Sequence, residues 1–150
     1  MKTEILSPAG SKESLVAAIH NGADAVYLGG LQFGARSQAQ NFTTEEIIES
    51  INYAHLYNVK IYVTVNTLIK DEEFDEVVDF VERLYLNNVD AIIIQDIGLA
   101  SYLLNKYPDI VLHASTQMNV HSVNQAKFLK QLGYLCKIKI LSYRDERSVL

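Results

Sequence analysis

The stretch EILSPAGSKESLVAAIHNGADAVYLGG, residues 4–30, carries the pattern from which the rest of the chain can be read. A short apolar run ends in Pro8-Ala9-Gly10, a helix-like segment follows, and a second apolar run closes on Gly29-Gly30. Ser11, with Ser14 three residues later, is a helix start signal, and Asn21-Gly22 suits a left-handed helix end. Strand, helix and strand in succession form one βαβ unit, whose crossover joins parallel strands.

The same alternation continues downstream. Apolar runs of strand length recur at KIYVTVN (60–66), DAIIIQD (90–96), DIVLHAST (109–116) and LCKIKIL (135–141). They are short, rich in Val, Ile and Tyr, and mostly bounded by Gly, Asp or Asn. Between them, Ile47, Ile48, Ile51 and Ala54 recur at helical spacing, as do Phe74, Val77, Val78, Val81, Leu84 and Tyr85. Thr43 or Thr44 and Asp71 mark further helix starts, and Asn87-Asn88 and Gly133 further ends. The chain therefore reads as five βα units and a sixth apolar run, an α/β fold on a parallel sheet.

Two architectures fit that order: a doubly wound open sheet, or a TIM-like (β/α)8 barrel, which typically takes about 250 residues. The 150 residues here supply five to six of eight barrel units. A partial barrel leaves strand edges and an apolar interior uncovered, so association into a homo-oligomer through those edges is expected. One connection is long, GGLQFGARSQAQNFT (29–43), and loops of that length tend to be functional.

Composition narrows the classes. Thirteen basic against eighteen acidic side chains give a net charge of −5, which offers no chain-wide field for nucleic acid. The single cysteine, Cys136, excludes an intrachain disulfide and any all-cysteine metal or iron–sulfur site built from this chain alone. No apolar run approaches the roughly 18 residues of a membrane span, and no signal-like segment follows Met1. A cytoplasmic protein without membrane contact is the expectation.

In a parallel α/β fold the C-terminal strand ends bear the site. There the sequence places Ser7, Pro8, Ala9 and Gly10, then Tyr27, Gly29 and Gly30, then Thr64, Asn66 and Thr67. Gln95 and Asp96 end the fourth run, and His113, Ser115, Thr116, Gln117 and Asn119 the fifth. Thr64, Asn66, Gln95, Asp96, His113 and Ser115 are hydrogen-bonding groups inside or just beyond apolar runs, where a purely structural strand favours Val or Ile.

His113 and Asp96 are the catalytic candidates, and the remaining tips the candidates for substrate binding. A Ser115–His113–Asp96 triad is conceivable, but no nucleophile-elbow glycine pattern surrounds the serine. His113 and His121, with Asp96 or Glu4, lack the spacing of a metal motif, so no metal site is expected. His20 and His55 sit near helix ends, where the dipole accounts for them. The glycines around residue 30 match no phosphate-binding loop. Glu4 either lies at the exposed start of its strand or points into a ring to pair with Lys60 or Arg36; the first reading is preferred.

LSPAG, AIHNGADAVYLGG, FGAR, NFT, YAHLYNVKIYVTVNTL, VDAIIIQDIG and LHASTQMNVHSVNQAKFLKQLG occur in order over residues 3–133. Together they resemble the N-terminal barrel part of the collagenase-like peptidase family of unassigned mechanism, a U-type peptidase family. That family also includes tRNA, rRNA and ubiquinone hydroxylation proteins. The resemblance implies a partial TIM-like barrel over residues 1–150 with its site at the strand tips. It carries over Pro8, Ala9, Gly10, Tyr27, Gly29, Gly30, Arg36, Asn66, Gln95, Asp96, His113, Ser115, Thr116, Gln117 and Asn119. It also implies an iron–sulfur cluster in a full-length parent, held by cysteines that this chain lacks, so no cofactor is expected here. Residues 134–150 depart from the family pattern, with Arg144 and Glu146 only faintly echoing it.

Three expectations follow. The parent hydroxylates RNA, at a tRNA wobble uridine, with a small molecule or RNA as partner and Arg36 available to a carboxylate. Alternatively, it is a peptidase. Or the chain by itself is an inactive open barrel that self-associates.

Overall fold

Strand order follows chain order. A computed structural model describes residues 4–35 and 41–134. In it β1 (Leu6–Pro8), β2 (Ala25–Gly29), β3 (Lys60–Val65), β4 (Ala91–Ile94) and β5 (Leu112–Ala114) pair in the order β1-β2-β3-β4-β5, every pair parallel. A doubly wound sheet reverses its order at a switch point. This one does not, so it winds in one direction, as a barrel does. The sixth apolar run, 135–141, lies outside the described residues.

Five helices alternate with the strands: α1 (Lys12–His20), α2 (Thr44–Leu56), α3 (Phe74–Leu86), α4 (Ile97–Lys106) and α5 (Val123–Gln131). Their starts follow from side-chain chemistry. Ser11 with Ser14, Thr43 with Glu46, and Ser122 with Gln125 form capping boxes, each satisfying backbone donors that the first turn leaves open. Asp71 opens not α3 itself but a short 3₁₀ turn, Asp71–Glu73, that leads into it. The expected left-handed ends form at Gly22 (φ 87°), Asn88 (φ 60°) and Gly133 (φ 96°). Asn58 (φ 56°) closes α2 in the same way, a fourth stop beyond those that the sequence pattern marks.

All five helices cover one face of the sheet. Val26, Leu28, Ile61, Val63, Val65, Ile92, Ile94, Leu112 and Ala114 project from the strands into a single core with Leu15, Ile19, Ile47, Ile51, Val77, Val81, Leu84, Leu99, Leu103 and Leu129 from the helices. Alternation sends the intervening strand residues to the opposite face. There a second, much smaller cluster forms: Ala25, Tyr62 and Ala91, with Tyr27, Ile93 and Val111 against it. A large helix-covered core behind the sheet and a small mixed cluster in front are the outside and inside of a barrel wall.

Candidate active site

The parallel register builds the inner face in rows. Pro8, Tyr27, Tyr62 and Ala91 align across β1 to β4, and Gly29, Thr64, Ile93 and His113 align across β2 to β5 one step nearer the C-terminal ends. Val65 and Ile94 face the helices, so the next residues along, Asn66 and Gln95, return to the inner face beyond them. The lower row carries half-buried Tyr27 and buried Tyr62. Above it, Thr64, Asn66, Gln95 and His113 are polar and half-buried.

His113 meets the ring of Tyr62 edge to face, centroids 4.8 Å apart at 82°. Tyr62 is 3% exposed, and its hydroxyl donates to Glu4 Oε1 at 2.8 Å. Glu4 Oε2 in turn lies 3.6 Å from Lys60 Nζ. Burial first, then the hydrogen bond to the Glu4 carboxylate, holds the Tyr62 phenol well above the ordinary tyrosine pKa. Glu4 thus faces inward and pairs with Lys60, the less favoured of its two readings, because its side chain falls in phase with Leu6 and Pro8. Tyr62 is absent from the sequence candidates. Its signal lies in KIYVTVN, where Lys60, Tyr62, Thr64 and Asn66 alternate with three β-branched core residues.

Several tips are occupied by structural work. Asp96 caps α4: Oδ1 accepts from Leu99 N at 2.8 Å and Oδ2 from Ile69 N at 3.4 Å. Ser115 is 1% exposed, and its hydroxyl accepts from Gln117 N at 3.1 Å, starting the 3₁₀ turn Thr116–Met118. A serine held in that way is poorly placed to attack a substrate. Thr116, Gln117 and Asn119 lie around that turn, and Asn119 ends it at φ 50°. Ser7 aligns with Val26 and so belongs to the helix side of the sheet.

The two glycine tips differ. Gly10 is exposed, and its N–H donates to Ser14 Oγ at 3.1 Å, so Pro8-Ala9-Gly10 runs directly into the α1 cap. At Gly29 an added Cβ would lie 3.0 Å from Thr64 Oγ1, and at Gly30 3.2 Å from Phe80. Both glycines therefore admit the chain's own side chains.

The loop after β2 is tied to β3. Asn66 Oδ1 accepts from Ala35 N at 3.0 Å, and Thr67 Oγ1 donates to the Phe33 carbonyl at 3.2 Å. Phe33 itself sits at φ 61°, an unusual backbone state for an aromatic residue that these contacts brace. Arg36 lies outside the described residues. Gln95 differs from its neighbours: among the described residues its amide has no hydrogen-bond partner.

A match to the model of peptidase family U32 covers residues 10–137. The chain belongs to peptidase family U32. It is 43% identical over 133 residues to the 23S rRNA 5-hydroxycytidine C2501 synthase of Escherichia coli, covering 89% of this chain and 20% of that protein. To the tRNA hydroxylation protein P1 of Bacillus subtilis it is 40% identical over 132 residues (88% and 31%). To a collagenase of Porphyromonas gingivalis it is 39% identical over 132 residues (87% and 31%). The chain thus spans a fifth to a third of the length of these relatives. The solved U32 peptidase Mk0906 superposes with a TM-score of 0.73 at 15% identity, over 89% of this chain and 56% of that one, which supports the fold.

An iron–sulfur cluster does not fit the donors of this U32 chain. Its one cysteine lies outside the described residues, and among those described no three His, Cys, Asp or Glu side chains gather to hold a metal. No helix among the described residues is long and apolar enough to cross a membrane. A cavity of about 400 Å³ does open between β4 and β5, but at their N-terminal ends, beside Tyr85, Asn88, Asp90 and Asp109. Asp90 there is engaged by His55 Nε2 and Ile61 N, both at 2.8 Å, and Asp109 by the Tyr85 hydroxyl at 2.7 Å. The candidate site residues lie at the opposite, C-terminal ends of the strands. Of the remaining histidines, His20 bonds the Tyr53 hydroxyl at 3.1 Å, while exposed His121 precedes the α5 cap.

Proposed function

We propose that this chain is the substrate-facing part of a U32 protein that hydroxylates RNA, acting in the cytoplasm on a pyrimidine such as a tRNA wobble uridine. The observation that carries the reading is the inner face: above the Tyr27 and Tyr62 rings stand His113, Thr64 and Gln95, whose amide has no hydrogen-bond partner among the described residues. A base extruded from folded RNA needs a planar apolar contact and a side chain that can both donate and accept along its edge. Tyr27, half-buried on that face, and Gln95 are of those types. The RNA-hydroxylating relatives support the same reading. His113 is the residue best placed to handle a proton at the base. Asp96 serves as the helix cap behind it. RNA steering and any iron–sulfur cluster belong to parts of the full-length protein beyond this chain, since its charge of −5 and single cysteine supply neither.

The test is nucleoside mass spectrometry of tRNA and rRNA from cells with and without the full-length gene. Loss of a one-oxygen mass gain on a pyrimidine, restored by the wild-type gene and not by His113→Ala, is the expected result. Unchanged nucleosides overturn it. The collagenase relative favours peptidase activity as a second reading. Buried Ser115 argues against a serine triad. Gelatin cleavage by the purified full-length protein, abolished in His113→Ala, would establish it.

Expressed alone, the 150-residue chain is further proposed to self-associate. β1 and β5 are the edges of the described sheet, and Leu6 (45%) on β1 and Ile5 (58%) just before it are exposed. Light scattering at micromolar concentration should give a dimer or larger, and a monomeric mass refutes the proposal.

A further inference from the structure

Tyr62 is the largest side chain on the inner face that is nearly fully buried, and its two ends are used differently. Its hydroxyl points to the N-terminal end of the sheet, where Glu4, itself paired with Lys60, accepts its hydrogen bond. That proton is committed to a carboxylate and is not offered to the site. Its ring does face the site. His113 stands on β5, two strands away from β3, and the rings meet across β4. Ala91, level with Tyr62 on β4, is small enough to leave that path open.

We propose that Tyr62 is a positioning residue for His113: anchored from below by Glu4 and Lys60, its ring holds the imidazole in the orientation that faces the strand tips. The role in turnover rests on the hydroxylase reading above, whereas the contact itself does not. An imidazole on an inner strand has several side-chain orientations open to it. An edge-to-face aromatic partner favours one of them by about threefold to tenfold. Glu4 holds the hydroxyl end of that ring, while the ring itself supplies the contact to His113.

The experiment uses the full-length protein and three measurements. In the wild type, a nuclear Overhauser effect between Tyr62 and His113 ring protons is expected, and its absence overturns the proposal without any variant having to fold. Next, His113 imidazole signals are compared in Tyr62→Phe and Tyr62→Leu, with His113→Gln identifying them. They should move in the leucine variant and stay close to wild type in the phenylalanine variant, which keeps the ring. Finally, turnover on RNA should fall about threefold to tenfold in Tyr62→Leu with KM unchanged, and Tyr62→Phe should rescue most of it. Equal losses in both variants, or His113 signals indifferent to the ring, overturn the assignment. If the wild-type protein hydroxylates no RNA, the functional reading fails alone, and the two magnetic-resonance measurements still decide whether Tyr62 positions His113.

Discussion

The two faces of the sheet are made by the same five strands and obey opposite rules. On the helix side, Val26, Leu28, Ile61, Val63, Val65, Ile92, Ile94 and Leu112 are apolar and at most 1% exposed, with Ser7 of the edge strand the polar exception. On the inner side, one residue out of phase, stand Tyr27, Lys60, Tyr62, Thr64 and His113. The first face is what a parallel strand packed under helices requires. The second keeps Ala25, Ala91 and Ile93 but departs from it at Lys60, Tyr62, Thr64 and His113, and polar or aromatic groups recurring on neighbouring strands, in register, call for a reason other than packing. In this molecule apolar packing is concentrated behind the sheet, and its polar strand residues gather in front of it.

The strongest attempt to break that division is a cavity on the helix side. Ile92 is fully buried in the centre of the large core. Ile92→Ala should cost roughly 2–5 kcal/mol in chemical denaturation, a large share of the roughly 5–15 kcal/mol typical of a domain. A loss under about 1 kcal/mol would mean that the core relaxes far more than a close-packed interior does.

Tyr62 tests the boundary between the faces, since it is buried yet inward. Removing its hydroxyl in Tyr62→Phe leaves Glu4 without that donor and should cost about 1–2 kcal/mol near neutral pH. The sign of the pH dependence is fixed. The folded phenol's pKa is raised above the unfolded value of about 10. Its contribution is therefore complete below about pH 10 and lost as pH rises through the folded pKa. Denaturation series at about pH 8 to 11 should show the gap between wild type and Tyr62→Phe narrowing above about pH 10. A constant gap would show that the hydroxyl is not what burial protects.

This division also explains what can be read from sequence. Apolar spacing and capping residues are local, so Ser11, Thr43, Gly22 and Gly133 suffice to mark out the βα units. The choice between open sheet and barrel is not local: it depends on strand order, which no single segment encodes. The strand-tip face is visible for the same local reason, but individual roles are not. Asp96 and Ser115 look chemical because they follow apolar runs, whereas the positions after a strand are also where helices and turns need caps. Glu4 looks exposed because its partners Tyr62 and Lys60 lie more than fifty residues away in the chain. Tyr62 passes as core because only pairing across β4 brings it to His113.

A smaller effect is expected at the helix starts, which support the outer face from its rim. Thr43 Oγ1 accepts from Glu46 N at 3.2 Å while Glu46 Oε2 accepts from Thr43 N at 2.8 Å. Thr43→Ala should cost about 1 kcal/mol, and hydrogen exchange should quicken in the first turn of α2 before it does in β3. Exchange rising equally in both would place the cap within the global unfolding unit.

The smallest effect on stability should fall at Gln95, and there the contrast between the faces becomes sharpest. Its amide makes no hydrogen bond among the described residues, so those residues gain no polar contact from it. Gln95→Met keeps the length of the side chain and most of its contact area, and its denaturation midpoint should be indistinguishable from wild type. On the proposed hydroxylase reading, RNA hydroxylation by the full-length variant should nonetheless fall about tenfold to a hundredfold, because a pyrimidine edge desolvated against a thioether is left unpaired. A base blocked by N3 methylation should lose activity with the wild type and little more with the variant, since the two changes remove one interaction. Additive losses would remove Gln95 from the base edge, and a destabilised variant would return it to the structural half of the molecule.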